Sequence, residues 1–561
     1  MHNIFFVLLR RLHLPLITLV CVYAISILGF VLIPGVDDQG QPWRMDFFHA
    51  FYFVSFMGTT IGFGEIPYPF TDAQRMWTLV SIYSTVIAWL YAIGVMLATL
   101  QNPGIRRQLT AATFRRAIRR LREPFYLICG YGDTGSKLVQ AFTEAGIRTV
   151  VVEIQQDRVN ELELADHRLF VPGLCADASD PENLMQAGLT TPYCIGVIAL
   201  TNVDVVNLKV AITAKLLNPP VSVIARAETR DVGLNIASFG SEHIMNPFEI
   251  FADRLAMALH APGFFLLHEW MTSVPHEALS EPLFPPRGMW ILCGYGRFGK
   301  AVHKRLLEEG LEVVIIEAQP EMTHAPQDVI VGTGTEAVTL QQAGIEHAVG
   351  IVAGTDDDAN NLSILMTARQ LNRDLFMVSR QNSRKNDAIF QAAELDLVMQ
   401  RGSIIAHTIF ALVRAPLLGV FLAKARQHDN EWANSLVSRI SGITADESPL
   451  IWEIAISAER SPALHDFLDR NEVLTLRDLY RDPRDRERQL PCVPLLHRRD
   501  ETVMLLPGDD SMMASGDQIL FCGLNHARSM MEWLINNQNV FSYILSGEEH
   551  ASSYLGRLFS R

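Results

Sequence analysis

Residues 77–100 form a run of 24 residues without a charged side chain, and residues 14–33 form a second of 20. At ~1.5 Å per residue, a helix of either length crosses the ~30 Å hydrocarbon core of a bilayer. In lipid the backbone groups of a single segment must be satisfied within it, so both runs are restricted to helix. A signal peptide has a shorter apolar core, ~7–15 residues, and no second span behind it, so residues 14–33 read as a span. Residues 47–58 are apolar too, yet too short to cross, and read as a re-entrant segment between the spans. Residues 1–101 are therefore expected to be an all-α, two-span membrane domain.

The re-entrant segment ends in Thr59-Thr60-Ile61-Gly62-Phe63-Gly64-Glu65. Carbonyl oxygens replace an ion's hydration shell only where the backbone is extended and glycines tolerate unusual dihedrals. Charge sets the orientation. Arg10 and Arg11 precede the first span, and Arg106, Arg107, Arg115, Arg116, Arg119, Arg120 and Arg122 follow the second with no acid among them. The loop between the spans is acidic on balance. Basic flanks stay in the cytoplasm, which puts both termini inside and residues 59–65 at the outer mouth. The arginine cluster, residues 102–123, reads as a basic linker helix with lipid headgroups within reach. The chain as a whole carries a net charge of −14, which argues against nucleic acid as a partner. Seven cysteines without a CxxC pair indicate neither a zinc site nor a disulfide framework.

The rest of the chain contains a repeat. Phe125-Tyr-Leu-Ile-Cys-Gly130-Tyr-Gly132-Asp133-Thr134-Gly135 leads to a strand ending in Glu153. Trp290-Ile-Leu-Cys-Gly294-Tyr-Gly296-Arg297-Phe298-Gly299 leads to a strand ending in Glu317. In each the acid lies 23 residues after the first glycine. Strand, GxGxxG, helix, strand and acid make the dinucleotide-binding pattern. The likeness continues: Asp177 matches Glu336, Asn207 matches Asn361, Arg226 matches Arg380, and Asp204 matches Asp358. Two doubly wound α/β domains are expected, over 124–285 and 286–428, each closed by an apolar helical stretch (248–270 and 404–423). Residues 429–561, with short alternating strands, read as a small α+β subdomain.

The glycines let a pyrophosphate approach the backbone, and the helix N-terminus offers unpaired N–H groups to it. Glu153 and Glu317 would accept from ribose hydroxyls and repel a 2′-phosphate, which favours NAD, ADP or AMP over NADP. Asp177 and Glu336 are candidates near adenine or ribose, and Arg226 and Arg380 near phosphates. Asp356-Asp357-Asp358 is a weak candidate for calcium. A dehydrogenase would need a catalytic domain beside the nicotinamide, and none is visible. Gly294-Tyr-Gly-Arg-Phe-Gly-Lys mimics a kinase loop without the downstream kinase motifs. It also nearly matches a P-loop, but Ala301 stands where Mg²⁺ needs a hydroxyl. An enzyme is not indicated.

Residues 59–65 resemble the TVGYG filter signature of potassium channels, with Ile61, Phe63 and Glu65 as departures. With two spans, a basic linker and tandem nucleotide folds, the whole chain resembles the prokaryotic potassium channels that carry RCK domains, of the GsuK multi-ligand type. The resemblance implies potassium as the permeant ion and a homotetramer in the inner (cell) membrane, with eight RCK domains in a cytoplasmic gating ring. It also implies NAD or ADP, with calcium as a further candidate, as regulatory ligands. Thr60 would then line the inner end of the filter, with carbonyls from Ile61, Gly62 and Phe63 above it. Gly94 is either a bend in the second span or a close-packing point, and Leu97 or Leu100 either a pore ring or lipid-facing. A nucleotide-sensing regulatory subunit of a potassium uptake system would also carry tandem RCK domains. It would lack the spans and the filter.

Overall fold

A computed structural model describes residues 2–62, 64–101, 103–241, 243–273, 281–445, 447–470 and 472–547. It divides into two units, Met1–Leu121 and Arg122–Arg561.

In the first unit, helix His2–Leu32 is followed by the short helix Phe47–Gly58, then Asp72–Leu100 and Pro103–Arg120. Two of its stretches, Leu12–Leu32 and Asp72–Thr99, are long and apolar enough to cross a membrane. The starts of the second and third helices are locally encoded. Asp46 accepts from the His49 amide at 2.8 Å, and Thr71 with Gln74 forms a capping box. Phe30, Phe53 and Phe70 pack edge-on, with ring centroids 4.9 Å (Phe30–Phe53) and 4.8 Å (Phe53–Phe70) apart. The two long helices meet at Gly29, where a Cβ would fall 2.0 Å from the Trp77 ring. Trp77 Nε1 also donates to the Ser26 carbonyl at 3.0 Å. The basic linker is the helix Pro103–Arg120.

The second unit holds two six-stranded parallel sheets. The first has spatial order Gly173–Cys175, Arg148–Glu153, Phe125–Cys129, Cys194–Ala199, Ser222–Arg226, His243–Met245. The second repeats it with Ile330–Val331, Glu312–Glu317, Met289–Cys293, Gly350–Ala353, Phe376–Gln381, Leu397–Gln400. The strand order reverses at the first strand of each: Cys129 pairs in parallel with both Val152 and Ala199, and Cys293 with both Ile316 and Ala353. Such a reversal opens the crevice in which doubly wound sheets bind ligands.

The two apolar stretches read as single helices are each broken. Pro247–His260 gives way to Pro262–Thr272, and Arg401–Arg414 to Pro416–Ala425, the second pair bent by 109°. Ala261 (φ −146°, ψ 82°) and Ala415 (φ −143°, ψ 84°) are the hinges. Both precede a proline, whose ring pushes its predecessor out of the helical region and which has no N–H to continue the ladder.

The helices before the elbows are exchanged between copies. Pro247–His260 packs on Arg297–Glu308 of the second copy, and Arg401–Arg414 packs on Asp133–Glu144 of the first. Behind the elbows, Leu267, Trp270, Leu418 and Phe421 share one core with Leu436, Ile440, Leu496 and Leu520. That core takes residues from both sides of position 428. The C-terminal part is a four-stranded antiparallel sheet, Leu450–Ala455, Gln518–Gly523, Cys492–Arg499, Thr502–Leu505, with helices packed on it.

Candidate functional site

Helix Phe47–Gly58 delivers residues 59–65. Thr59 closes the helix, its hydroxyl donating to the Ser55 carbonyl at 2.9 Å. The Thr60 amide donates to Met57 O at 3.0 Å and Ile61 to Phe56 O at 2.9 Å. From there φ is positive at every second residue: Thr60 (61°), Gly62 (67°) and Gly64 (101°). Glycine takes this region freely, whereas Thr60 does so at a cost. Phe63 lies outside the described residues. Residues 59–62 and 64 are exposed.

Glu65, a departure from the filter signature, is engaged by two partners. Arg75 Nε donates to Oε1 at 2.9 Å and Arg75 Nη2 to Oε2 at 3.3 Å, while the Phe70 amide donates to Oε2 at 2.8 Å. The Arg75 guanidinium, then the Phe70 amide, hold its carboxyl below the usual carboxylate range. It ties the C-terminal end of the segment to the head of the second long helix. In that helix Gly94 lies in unbroken α-structure, and a Cβ there would meet nothing within 4 Å in this chain. Leu97 is exposed, and the side chain of Leu100 lies outside the described residues.

The two glycine loops are built alike. Gly130 and Gly294 take φ of 104° and 94°, and a Cβ on Gly135 or Gly299 would sit 2.1 or 2.0 Å from the carbonyl oxygen of Gly130 or Gly294. No side chain fits that approach. Glu153 and Glu317 are buried, each holding its loop by backbone amides. Tyr131 and Gln155 donate to Glu153 at 2.6 and 2.9 Å, and Tyr295 and Gln319 to Glu317 at 2.6 and 2.8 Å. Gly132 and Gly296 cap the following helices without a side-chain bond.

Around these loops the copies differ. Beside the first lies a cleft of about 310 Å³ lined by Gly132, Asp133, Thr134 and Arg226. Lys137 and Arg158 of the first copy and Arg384 and Lys385 of the second join them in its wall. Gly402 closes one side, where a Cβ would sit 3.2 Å from the Thr134 amide nitrogen. Beside the second loop the residue equivalent to Gly402 is Phe248, fully buried. Arg297 and Arg380 lie over its ring at 5.6 and 5.2 Å. Arg297 is also bound by Glu228 of the first copy at 2.8 Å, and Glu228 pairs with the buried Arg226.

Several expected contacts fall elsewhere. Phe298 is fully buried against Phe251 and Phe248, because its place on the helix faces the core rather than the cleft. Asp177 and Glu336 are exposed, and Asp177 accepts from the Ser179 amide at 2.8 Å. The three aspartates 356–358 do not converge. Asp357 caps helix Asp358–Leu371, and Asp358 accepts from the Asn382 and Ser383 amides at 2.6 and 3.0 Å. Asp204 does the same for the Glu228 and Thr229 amides, both at 3.1 Å. Among the described residues no group of three or more His, Cys, Asp or Glu is placed to hold a metal. Arg158, Arg384 and Lys385 were missed in the sequence, since no motif marks them.

Known families fit this division. The ion channel family matches residues 17–102, and the TrkA-N domain family matches twice, at 126–247 and 290–401. The chain joins an ion-channel domain to two TrkA-N domains. The first TrkA-N match covers the sheet with the open cleft, and the second covers the sheet whose glycine loop holds Arg297. A protein of undescribed function from Methanothermus fervidus is 28% identical over 227 residues, covering 40% of this chain and 34% of its own length. Probable potassium channel protein 2 of Methanocaldococcus jannaschii is 27% identical over 249 residues, covering 44% of this chain and 67% of its own. The chain thus spans about a third of the first relative and two thirds of the second. Among solved structures, a GsuK channel bound to NAD aligns over 95% of this chain and 99% of its own, at 17% identity and a TM-score of 0.44.

Proposed function

We propose that this protein is a potassium-selective channel of the inner cell membrane, gated from the cytoplasm by nucleotides in its TrkA-N domains. One observation carries the reading. A helix too short to cross lies between two spans and ends in a segment with positive φ at Thr60, Gly62 and Gly64. Alternating handedness turns successive carbonyls toward one side, which is what a column of dehydrated ions requires. Four copies around one axis would present Thr60, Ile61, Gly62 and Phe63 to the ion. They would also cover the apolar faces that Tyr83, Ile87 and Leu90 expose in a single chain. Both termini are cytoplasmic in this reading, and eight TrkA-N domains form the ring.

The ligand class follows from the cleft. Lys137, Arg158, Arg226, Arg384 and Lys385 outnumber Asp133 and Asp387 there, which suits a pyrophosphate. Glu153 disfavours a 2′-phosphate, so NAD and ADP are the ligands of choice. Ligand acts through its differential affinity for two states of the ring, transmitted by Pro103–Arg120 to the second span at Gly94, Leu97 and Leu100. The matched ion-channel domain favours this reading over that of an uptake-system regulatory subunit.

The test is flux from vesicles holding the purified full chain. Potassium should pass in large excess over sodium, Thr60→Ala should lose that preference, and NAD or ADP should change the rate. Sodium passing as fast as potassium, or Thr60→Ala matching wild type, would refute the pore. No response to NAD, ADP or ATP would refute the gating.

A further inference from the structure

The two elbows are related by the repeat, and one of them lacks a partner. At the first, His260 stands beside Glu309 of the second copy, Nδ1 to Oε2 3.4 Å. The residue equivalent to His260 is Arg414, and the residue equivalent to Glu309 is Ala145. The cation is thus kept, and made permanent, where the acid at that one position is gone; Glu144 and Glu447 line the same cavity without reaching it. Among the described residues no carboxylate or carbonyl reaches the Arg414 guanidinium, whose contact is the Phe410 ring at 5.5 Å. Burial, then the neighbouring Arg528, lowers its pKa to about 10.

Arg414, Arg528 and Ala145 together line two adjoining cavities, of about 830 and 690 Å³, between the first TrkA-N sheet, the elbow and the C-terminal sheet. Arg528 is bound on one side by Glu532 at 2.7 Å. It lies in the first turn of Asn525–Asn536, a helix whose cap residue, Leu524, offers no side-chain oxygen. Phe410, Leu418 and Ile451 supply apolar wall to the larger cavity. A half-buried guanidinium without a carboxylate retains part of its desolvation cost until an anion arrives, and arginine matches phosphate bidentately.

We infer that this cavity is a second ligand site, separate from the glycine loops, for a phosphate ester with an apolar or aromatic body held by Arg414 and Arg528. Its place at the elbow joins the ligand to the first TrkA-N domain and the C-terminal sheet at once.

Phenyl phosphate is the probe, titrated by calorimetry into the full chain in detergent. Wild type should bind it, and Arg414→Gln should weaken binding at least tenfold. Ala145→Glu restores the acid that the related elbow has at Glu309. It should weaken binding as much, with a melting temperature no lower than wild type. Absence of binding to wild type, or wild-type affinity in either folded variant, overturns the inference.

Discussion

Glu65→Gln isolates the charge at the C-terminal end of residues 59–65, the proposed filter, because an amide oxygen can still accept from the Phe70 amide. Two contributions are lost. The ion pair with Arg75 is half-exposed, its side chains 36% and 56% accessible, so solvent screening limits it to ~0.5–1 kcal/mol. The hydrogen bond from Phe70 falls from a charge-assisted one to an ordinary one, a further ~0.5–1 kcal/mol. Together they make about 1–2 kcal/mol, a factor of roughly 5–30 in the balance between a held and a released filter. Single-channel recording reads that balance as dwell time in the conducting state. Glu65→Gln should shorten it by that factor, and Arg75→Gln, which leaves the charge-assisted bond from the Phe70 amide in place, by the smaller factor of roughly 2–5 that the ion pair alone gives. External acid should reproduce the effect in wild type. The Glu65 pKa is depressed, so its contribution is full above the ordinary carboxylate pKa and is lost as pH falls through the lowered one. Dwell times in both variants within twofold of wild type would refute the clamp.

Gly299→Ala should destabilise the second unit, Arg122–Arg561, by about 3 kcal/mol, read by denaturant unfolding, because its Cβ cannot coexist with the Gly294 carbonyl. Arg158→Gln should weaken ADP binding about tenfold in titration calorimetry, as expected for one charge-assisted phosphate contact near the first glycine loop. Asp358→Ala should cost about 2 kcal/mol by freeing the Asn382 and Ser383 amides, while any calcium response of the currents stays unchanged. Burial works to raise the Asp517 pKa, but Arg499 and His497 outweigh it and hold the carboxyl at about 2. Its stabilisation, about 2 kcal/mol, is present above pH ~4 and lost as pH falls toward 2. Thermal unfolding of Asp517→Asn should accordingly lose the wild-type acid dependence in that window.

The centres of both sheets were legible because the strands Phe125–Cys129 and Met289–Cys293 are apolar throughout and each glycine loop fixes where strand ends and helix begins. The spans were legible from length alone. The cleft was not. Its second wall, Arg384, Lys385 and Gly402, reaches the first copy only because helix Arg401–Arg414 crosses over, and no local pattern encodes such an exchange. Phe298 was misplaced because a motif counts positions along the chain, not faces of a helix. The Ala-Pro hinges at 261 and 415 were readable in principle, since a proline inside an apolar helical run is a break signal. Glu65 shows the converse limit: its carboxylate is in the sequence, but its partner Arg75 is ten residues away in a separate element.

The exchange of helices between copies has an evolutionary reading. Two separate chains that swapped the same helices would form a symmetric dimer, and any substitution at one junction would appear at the other. Fused in one polypeptide, the junctions mutate independently. Phe248 against Gly402, Glu228 against Asn382, and Glu309 against Ala145 are positions at which the two junctions differ: one leaves a cleft open, and the other fills the equivalent place with a ring.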